Sequence, residues 1–211
     1  MRVVDLSHEL SPGMPVYPGT EPPQFACGTT LERDGFREHR ITMFSHTGTH
    51  MDAPAHILPD GPSLDRFAAG HFVGPAILVD VRGTGDTIGI EHLLPLRDRL
   101  RTARFLILNT GTAAHWGSPR YFSGFPVLTA EAADWLGTLR LAAVGVDAIS
   151  VDRMNSVEFP NHRCLMSAGA CIVENLTGLD AVGRDEFVFC CLPLKYRDAD
   201  GSPVRAVALV E

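Results

Sequence analysis

The sequence lacks an apolar run near the roughly 18 residues that a membrane-spanning helix requires. Its longest apolar runs, such as residues 187–194, have only the length of a strand. The first residues include Asp5, His8 and Glu9, where a secretion signal would need an apolar stretch. The five cysteines form no CxxC motif, so neither a disulfide framework nor a thiolate metal site is indicated. We therefore expect a cytoplasmic, reduced protein with no membrane partner.

The sequence also lacks the basic patch that nucleic-acid-binding proteins carry. Acidic residues (25) outnumber lysine and arginine (18), and the formal net charge is −7. The densest positive stretch, residues 97–104, is better explained as the exposed end of a helix. A nucleic-acid partner is therefore not expected, and a small-molecule partner is.

The length of 211 residues corresponds to one domain, and 45% hydrophobic with 20% charged residues is typical of a globular chain. We predict a single domain over residues 1–211, in which residues 1–24 form an N-terminal strand and a proline-rich arm. The prolines of residues 11–23 disfavour both a helix and a central strand. The arm leaves Met14, Val16 and Tyr17 as exposed apolar side chains that a neighbouring subunit could cover.

Local patterns predict a mixed α/β architecture. Strands are expected near residues 3–6, 76–81, 105–108, 143–149, 187–194 and 204–210, and helices over 90–100 and 130–139, the second with Thr129 as its N-cap. Pro95 should kink or delay the first helix. The strand–helix–strand order over residues 105–149 implies parallel pairing. Asp200-Gly201 predicts a hairpin turn between the last two strands.

Histidine and aspartate cluster within residues 46–56, which read HTGTHMDAPAH. In an extended strand His46 and His50 would lie about 13 Å apart, too far to share an ion. A helix would bring them together, but Gly48 and two β-branched threonines weaken that alternative, and a turn at Gly48 is favoured. His50 and Asp52 then share one face, and His56 follows a proline. The alternative to a metal site is a polar loop with one or two satisfied histidines; imidazole with carboxylate suits Zn²⁺, Mn²⁺ or Fe²⁺.

A second pair of polar residues lies far downstream. His162 follows Asn161, and Glu174 closes the apolar strand that begins at Cys171. Each by itself is typical of a surface loop or a strand end. Beside an incomplete metal-binding loop, both become candidate ligands.

With these motifs complete, the chain resembles the cyclase/kynurenine formamidase family of metal-dependent hydrolases, whose hallmark is HxGTHxDxPxH. The resemblance continues through residues 5–7 and 14–19 in the arm, 145–147 and 150–152 in a central strand region, 174–176, 192–195 and 200–205. It implies a swivelling β/β/α-type single domain with a mixed parallel and antiparallel sheet, assembled as a homodimer or homotetramer.

The resemblance also implies the roles of the cluster. His46, His50 and Asp52 would hold a first metal ion, and Asp52 with Glu174 would bridge to a second that His162 completes. The expected cofactor is Zn²⁺, as one or two ions, with Mn²⁺ as the alternative. Three protein ligands leave a position for water, whose pKa the metal lowers, and His56 would be the acid/base histidine.

The resemblance predicts a hydrolase of an amide, formamide or cyclic amide, which is arylformamidase-like or isatin hydrolase-like, with tryptophan catabolism as one setting. Tyr17 is the candidate substrate-binding residue; it stands where kynurenine formamidases usually carry tryptophan. The segment 115–126 is more similar to the broad cyclase branch than to kynurenine formamidases. The alternatives are a polyketide-type cyclase and a non-catalytic metal-binding relative; the presence of both the ligand set and His56 disfavours the latter.

Overall fold

The computed structural model describes all residues, 1–211, and contains thirteen strands and four short α-helices. The strands are β1 (Arg2–Asp5), β2 (Gln24–Thr29), β3 (Glu38–Thr42), β4 (His50–Asp52), β5 (Val73–Asp80), β6 (Thr87–Ile88), β7 (Phe105–Asn109), β8 (Val127–Leu128), β9 (Ala143–Val146), β10 (Cys171–Glu174), β11 (Glu186–Cys190), β12 (Gly201–Pro203) and β13 (Val207–Val210). The helices are α1 (Leu31–Asp34), α2 (Arg97–Leu100), α3 (Ala130–Gly137) and α4 (Pro160–Ser167). None of the helices combines the length and the apolar character that crossing a membrane would take.

Nine of the strands form one mixed sheet in the order β1-β13-β11-β5-β7-β9-β10-β4-β12. The four strands β5, β7, β9 and β10 are parallel, and antiparallel strands flank them on both sides. The sheet curls, so that an isolated bridge joins Ser7, just after β1, to Leu176, just after β10. The predicted α/β fold with a mixed sheet is therefore confirmed.

The sheet has a hydrophobic core on each face, as the sequence of β7 illustrates. Leu106 and Leu108 belong to the core that α3 and α4 cover, whereas Phe105 and Ile107 belong to the core on the opposite face. All five residues of β7 are buried, which explains its continuous apolar sequence. Full burial of each such side chain contributes roughly 1.5–3 kcal/mol to folding.

The helix at 130–139 forms as predicted, with a small difference at its end. Helix α3 covers Ala130–Gly137, and the hydroxyl of Thr129 accepts a hydrogen bond from the backbone N–H of Ala132 at 3.2 Å. The strands on either side, β7 and β9, pair in parallel, as the strand–helix–strand order implies.

The single helix predicted over 90–100 is wrong. The segment contains two 3₁₀ turns, Ile90–His92 and Leu94–Leu96, and then the four-residue helix α2. Pro95 lacks the N–H that a continuous helix would need, and α2 begins only at Arg97, so the delay expected from the proline is confirmed. The chain is therefore divided at the proline.

The C-terminal strands are shorter than predicted and change partners. β11 and β13 pair in antiparallel fashion, but β11 ends at Cys190 and β13 begins at Val207. Gly201–Pro203, which the sequence assigned to the turn, is strand β12 and pairs with β4. The hairpin is therefore long, and its tip reaches a different part of the sheet.

The proline-rich segment after β1 is only partly as expected. Residues 11–23 contain no helix or strand, in agreement with their prolines. Met14, however, is buried in its own chain and lies against Gly48, so its expected exposure is wrong. Tyr17 remains 37% exposed.

Candidate metal centre and active site

The turn predicted within residues 46–56 lies at Gly48, whose φ is +66°. A side chain there would be strained, and a Cβ would lie 2.6 Å from Leu10 Cδ2. The turn brings the rings of His46 and His50 to a centroid distance of 5.2 Å. Local backbone chemistry therefore places the two histidines side by side.

Both histidines converge on one oxygen of Asp52. His46 Nδ1 lies 2.6 Å and His50 Nε2 3.1 Å from Asp52 Oδ1. His50 and Asp52 are the first and last residues of β4, so their side chains project from the same face of the strand. One ligand atom from each of the three lies within 4.8 Å of the others.

The second candidate ligand pair joins this cluster through the sheet. β10 pairs with β4 so that Glu174 lies opposite His50. His162, in the first turn of α4, places Nε2 at 3.3 Å from Glu174 Oε1 and at 3.7 Å from Asp52 Oδ2. Asp52, His162 and Glu174 thus form a second group of potential ligands, and all three are buried.

Two of the histidine rings are held by hydrogen bonds on the side away from the centre. His50 Nδ1 donates to the carbonyl oxygen of Gly48 at 2.8 Å, and His162 Nδ1 contacts Asp152 Oδ2 at 2.7 Å. Asp152 also accepts the backbone N–H groups of Asn161 and His162, and so caps α4. Because a carbonyl and a carboxylate accept at Nδ1, the Nε2 atoms face the centre, as in metal-ligating histidines.

The donor set fits a bound divalent metal. Asp52 is 1% exposed, yet its Oδ2 has no hydrogen-bond partner. An unpaired buried carboxylate oxygen is costly, and a cation within the cluster would satisfy it. Nitrogen and oxygen ligands without sulfur suit Zn²⁺, Mn²⁺ or Fe²⁺. The buried or half-buried residues that could hold the ion or ions are His46, His50, Asp52, His162 and Glu174. His46 also forms a third, more exposed group of potential ligands with His56 and Asp200.

The pKa shifts of the metal-free protein also show that the buried carboxylates of the cluster need positive charge beside them. Burial opposes protonation of His46, but Asp52 and Asp200 outweigh it and raise its pKa to about 9. The pKa of His162 is also raised: Asp152, Asp52 and Glu174 outweigh its burial. Burial, reinforced by the charge of Asp52, raises the pKa of Glu174. In the absence of metal, bound protons therefore supply the charge that the carboxylates need.

His56 lies at the edge of this cluster in a different environment. It ends the 3₁₀ turn Pro54–His56, and its ring centroid lies 3.9 Å from that of His46 and 6.3 Å from that of His162. Its ring nitrogens make no hydrogen bond within the chain, and part of the residue is exposed to solvent. Loss of hydration, together with the neighbouring histidines, lowers its pKa to about 4 despite Asp52. A neutral imidazole with a free nitrogen can accept a proton.

An open cavity of about 360 Å³ lies over the cluster. Tyr17, the predicted substrate-binding residue, lines it, and so do Phe44 and Phe159. Phe159 has φ +48°, a left-handed backbone that precedes α4. The full lining comprises Tyr17, Thr20, Phe44, Ser45, His46, His50, Asp52, His56, Ile149, Ser150, Phe159, His162, Glu174 and Asp200.

The sequence predicts no place in the site for Asp152, Asp200, Phe44 or Phe159. Asp152 lies ten residues before His162, and only the fold brings its carboxylate to the ring. For Asp200 the sequence predicts only a turn, because glycine follows it. The structure therefore brings together all six predicted polar site residues and adds neighbours that no local pattern reveals.

Comparisons with known proteins identify the family of this chain. Residues 4–153 match the Cyclase family model, described as "Putative cyclase". The chain is 34% identical over 205 residues to a kynurenine formamidase of Bacillus cytotoxicus, covering 97% of this chain and 95% of that protein. Isatin hydrolase A from Ralstonia solanacearum superposes with a TM-score of 0.87 at 27% identity, over 100% of this chain and 92% of the other. A predicted metal-dependent hydrolase from Bacillus stearothermophilus superposes with a TM-score of 0.80 at 28% identity, over 98% of this chain and 97% of the other. The chain therefore belongs to the cyclase family of metal-dependent hydrolases.

Proposed function

We propose that this protein hydrolyses the C–N bond of a small formamide or cyclic amide, with a divalent metal as cofactor. The observation that carries the proposal is the convergence of three histidines and two carboxylates, His46, His50, His162, Asp52 and Glu174, beneath an open cavity. The similarity to a kynurenine formamidase and to an isatin hydrolase supports amide hydrolysis as the reaction.

The proposed ligands of a first ion are His46, His50 and Asp52, and those of a second are Asp52, His162 and Glu174. Zn²⁺ is the proposed metal, with Mn²⁺ as the alternative, because both accept imidazole and carboxylate together. When bound, the metal supplies a Lewis acid that polarises the carbonyl under attack and lowers the pKa of water. The hydrogen bonds that His50 donates to Gly48 and His162 donates to Asp152 hold two of the rings in the orientation that this binding needs.

His56 is the proposed acid/base residue. A free ring nitrogen would accept a proton from the attacking water as the new C–O bond forms. The same nitrogen would then donate that proton to the amide nitrogen as the C–N bond breaks, so that no proton is gained or lost over the cycle. The exposed position of His56 at the cavity edge, and the absence of any hydrogen bond to its ring, support this role.

The cavity walls favour a flat, neutral substrate. Tyr17, Phe44 and Phe159 offer aromatic surface, on which a planar ring can pack. None of the lining residues is lysine or arginine, and the histidines other than His56 are proposed metal ligands, so no permanently charged side chain is available to bind a substrate carboxylate. We therefore propose a cyclic aromatic amide as a better substrate than an amide that carries an amino-acid group.

The test is an assay of the Zn²⁺-loaded protein with isatin, N-formylkynurenine and a simple lactone. Hydrolysis of isatin with the highest kcat/KM supports the cyclic aromatic amide as substrate. A preference for N-formylkynurenine would contradict that choice and would leave the hydrolysis of a formamide in place. Loss of amide hydrolysis in His56→Ala shows that the activity belongs to this site. A metal-loaded protein that hydrolyses no amide would overturn the function and favour a cyclase or a non-catalytic relative.

We also propose that the protein forms a homodimer or homotetramer. The two-stranded sheet of β2 and β3, with α1 between them, has no buried residue. An isolated two-stranded hairpin is marginally stable in water. Leu31, Phe36 and Ile41 on this unit are each more than half exposed, as is Phe44 beside it. A second copy of the chain would bury these side chains and stabilise the hairpin.

A further inference from the structure

The long C-terminal hairpin returns its tip to the metal centre. β12 pairs with β4 so that Gly201 lies opposite Asp52, and the backbone N–H of Ala53 donates to the carbonyl oxygen of Asp200 at 2.8 Å. Asp200 and Gly201 are therefore fixed relative to the strand that carries His50 and Asp52. Their position beside His46 is set by strand pairing rather than by a mobile loop.

The carboxylate of Asp200 holds the outer nitrogen of the His46 ring. His46 Nε2 lies 3.0 Å from Asp200 Oδ2, and the hydroxyl of Ser45 donates to the same oxygen at 3.2 Å. The hydroxyl of Tyr196 donates to Oδ1 at 3.3 Å and so helps to orient the carboxylate. Because both carboxylates only accept, both ring nitrogens carry a hydrogen in the metal-free protein, Nε2 towards Asp200 and Nδ1 towards Asp52. A metal bound at Nδ1 would replace the hydrogen on that side only.

Gly201 provides a flat surface against the same ring. A Cβ at this position would lie 2.4 Å from His46 Cε1 and 2.7 Å from Nε2, which is far inside contact distance. The φ of Gly201 is not in the left-handed region, so its backbone does not require glycine. The ring of His46 is the reason for the missing side chain.

We propose that Asp200 and Gly201 together position the His46 ring, Asp200 by a hydrogen bond to Nε2 and Gly201 by close packing, so that Nδ1 faces the metal site. Both are positioning residues that act through His46. The inference rests on the proposed function, in which His46 is a metal ligand. Asp152 orients His162 in the same way on the other side of the centre, at the other ring nitrogen: it accepts from Nδ1 and leaves Nε2 facing the site.

The test measures the affinity of the metal-free protein for Zn²⁺ by competition with a chromogenic chelator, without any substrate. Asp200→Ala should weaken binding by roughly 10- to 100-fold, the usual effect of removing such a partner. Asp200→Asn should lose less, because an amide oxygen can still accept from Nε2. Asp198→Asn is the matched control: Asp198 lies in the same turn, is exposed, and has a φ of +56° that asparagine also tolerates. This control should bind Zn²⁺ like the wild type.

Two further measurements separate positioning from a general loss of structure. The absorption spectrum of the Co²⁺-substituted protein should change in Asp200→Ala and not in Asp198→Asn, because only the first alters the ring orientation. Gly201→Ala should weaken Zn²⁺ binding independently, and it decides the question if Asp200→Ala does not fold. Zn²⁺ affinity within threefold of wild type in folded Asp200→Ala or in Gly201→Ala would overturn the inference. Absence of Zn²⁺ binding in the wild type would instead overturn the proposed function.

Discussion

Raising the pH should destabilise the metal-free protein while it increases the stabilisation by metal. The cause lies in His46, which is enclosed by Asp52 and Asp200 and whose pKa is raised to about 9 from 6.5. A folded state with a raised histidine pKa keeps a proton that the unfolded chain has already released. Its stabilising effect is complete below pH 6.5 and is lost as the pH rises towards 9.

The size of the effect follows from the linkage relation. When the folded state binds one proton more than the unfolded state, each unit by which the pH rises lowers the free energy of unfolding by about 1.4 kcal/mol. At pH 6.5 the unfolded histidine still holds half a proton, so from there to about pH 8.0 the loss is about 1.5 kcal/mol, equivalent to roughly 3–6 °C in Tm for a chain of this length. The pKa values of His50 and His162 are raised as well, and they act in the same direction. His8 and His56, with folded-state pKa values lowered to about 4, act in the opposite direction: they are neutral in the folded protein, whereas the unfolded chain still binds part of a proton at each near pH 6.5. This opposing effect is small and is nearly complete by about pH 8.0, because the unfolded histidines are then neutral too.

The metal-bound protein should behave in the opposite way. Zn²⁺ competes with protons for the imidazole nitrogens, so its affinity rises as the pH increases. Since a bound ion stabilises the folded state in proportion to the logarithm of its affinity, the difference in Tm between metal-loaded and metal-free protein should widen from pH 6.5 to about 8.0.

Thermal melts of EDTA-dialysed and Zn²⁺-loaded protein across this pH range provide the measurement. His46→Gln should reduce the slope in the metal-free protein, whereas His92→Ala, an exposed histidine outside the cavity, should leave it unchanged. A metal-free Tm that stays constant or increases over the window would refute the proton-binding role assigned to the cluster.

Three further predictions concern the ligands, the acid/base residue and the assembly. His50→Ala should remove most of the bound metal, because it deletes one of three ligands of an ion; unchanged metal content in elemental analysis would contradict its role. His56→Ala should keep the metal and lose roughly 10²–10⁴-fold in turnover, without rescue by His56→Gln; full kcat, or loss of the metal, would show a different role. Light scattering at micromolar concentration should give at least twice the chain mass of 22.9 kDa, with a shift to monomer in Phe36→Ser; a monomeric wild type would count against assembly.

The part of the site that sequence reasoning could predict is the part set by local chemistry. The turn at Gly48 and the two-residue spacing of His50 and Asp52 depend only on backbone geometry, and the structure agrees with both. His162 and Glu174 could be proposed only as possible completions of a partial ligand set, and their roles only through a family resemblance, since 110 and 122 residues separate them from Asp52. Their approach depends on the pairing of β10 with β4 and on the packing of α4, which no local pattern specifies.

Asp200 shows how a strong local signal can hide a tertiary role. Aspartate followed by glycine is typical of a hairpin turn, and that interpretation accounts for both residues without reference to any histidine. In the structure, the same glycine begins β12 and lies beneath the His46 ring. Met14 is a related case, because its burial depends on the close approach of the arm to Gly48 rather than on its own segment.

The register of three short strands links the fold to the candidate chemistry. β4 pairs with β10 on one side and with β12 on the other. In this register His50 lies between Glu174 and Pro203, and Asp52 lies between Ile172 and Gly201. Between the two ligands of β4, Met51 is fully buried in the core on the opposite face. A slip of one residue would turn His50 and Asp52 into that core and Met51 towards the cavity. The apolar packing of Met51 therefore selects the same register that assembles the metal centre. The free energy gained by burying Met51 offsets part of the cost of burying His50 and Asp52 when no metal is bound.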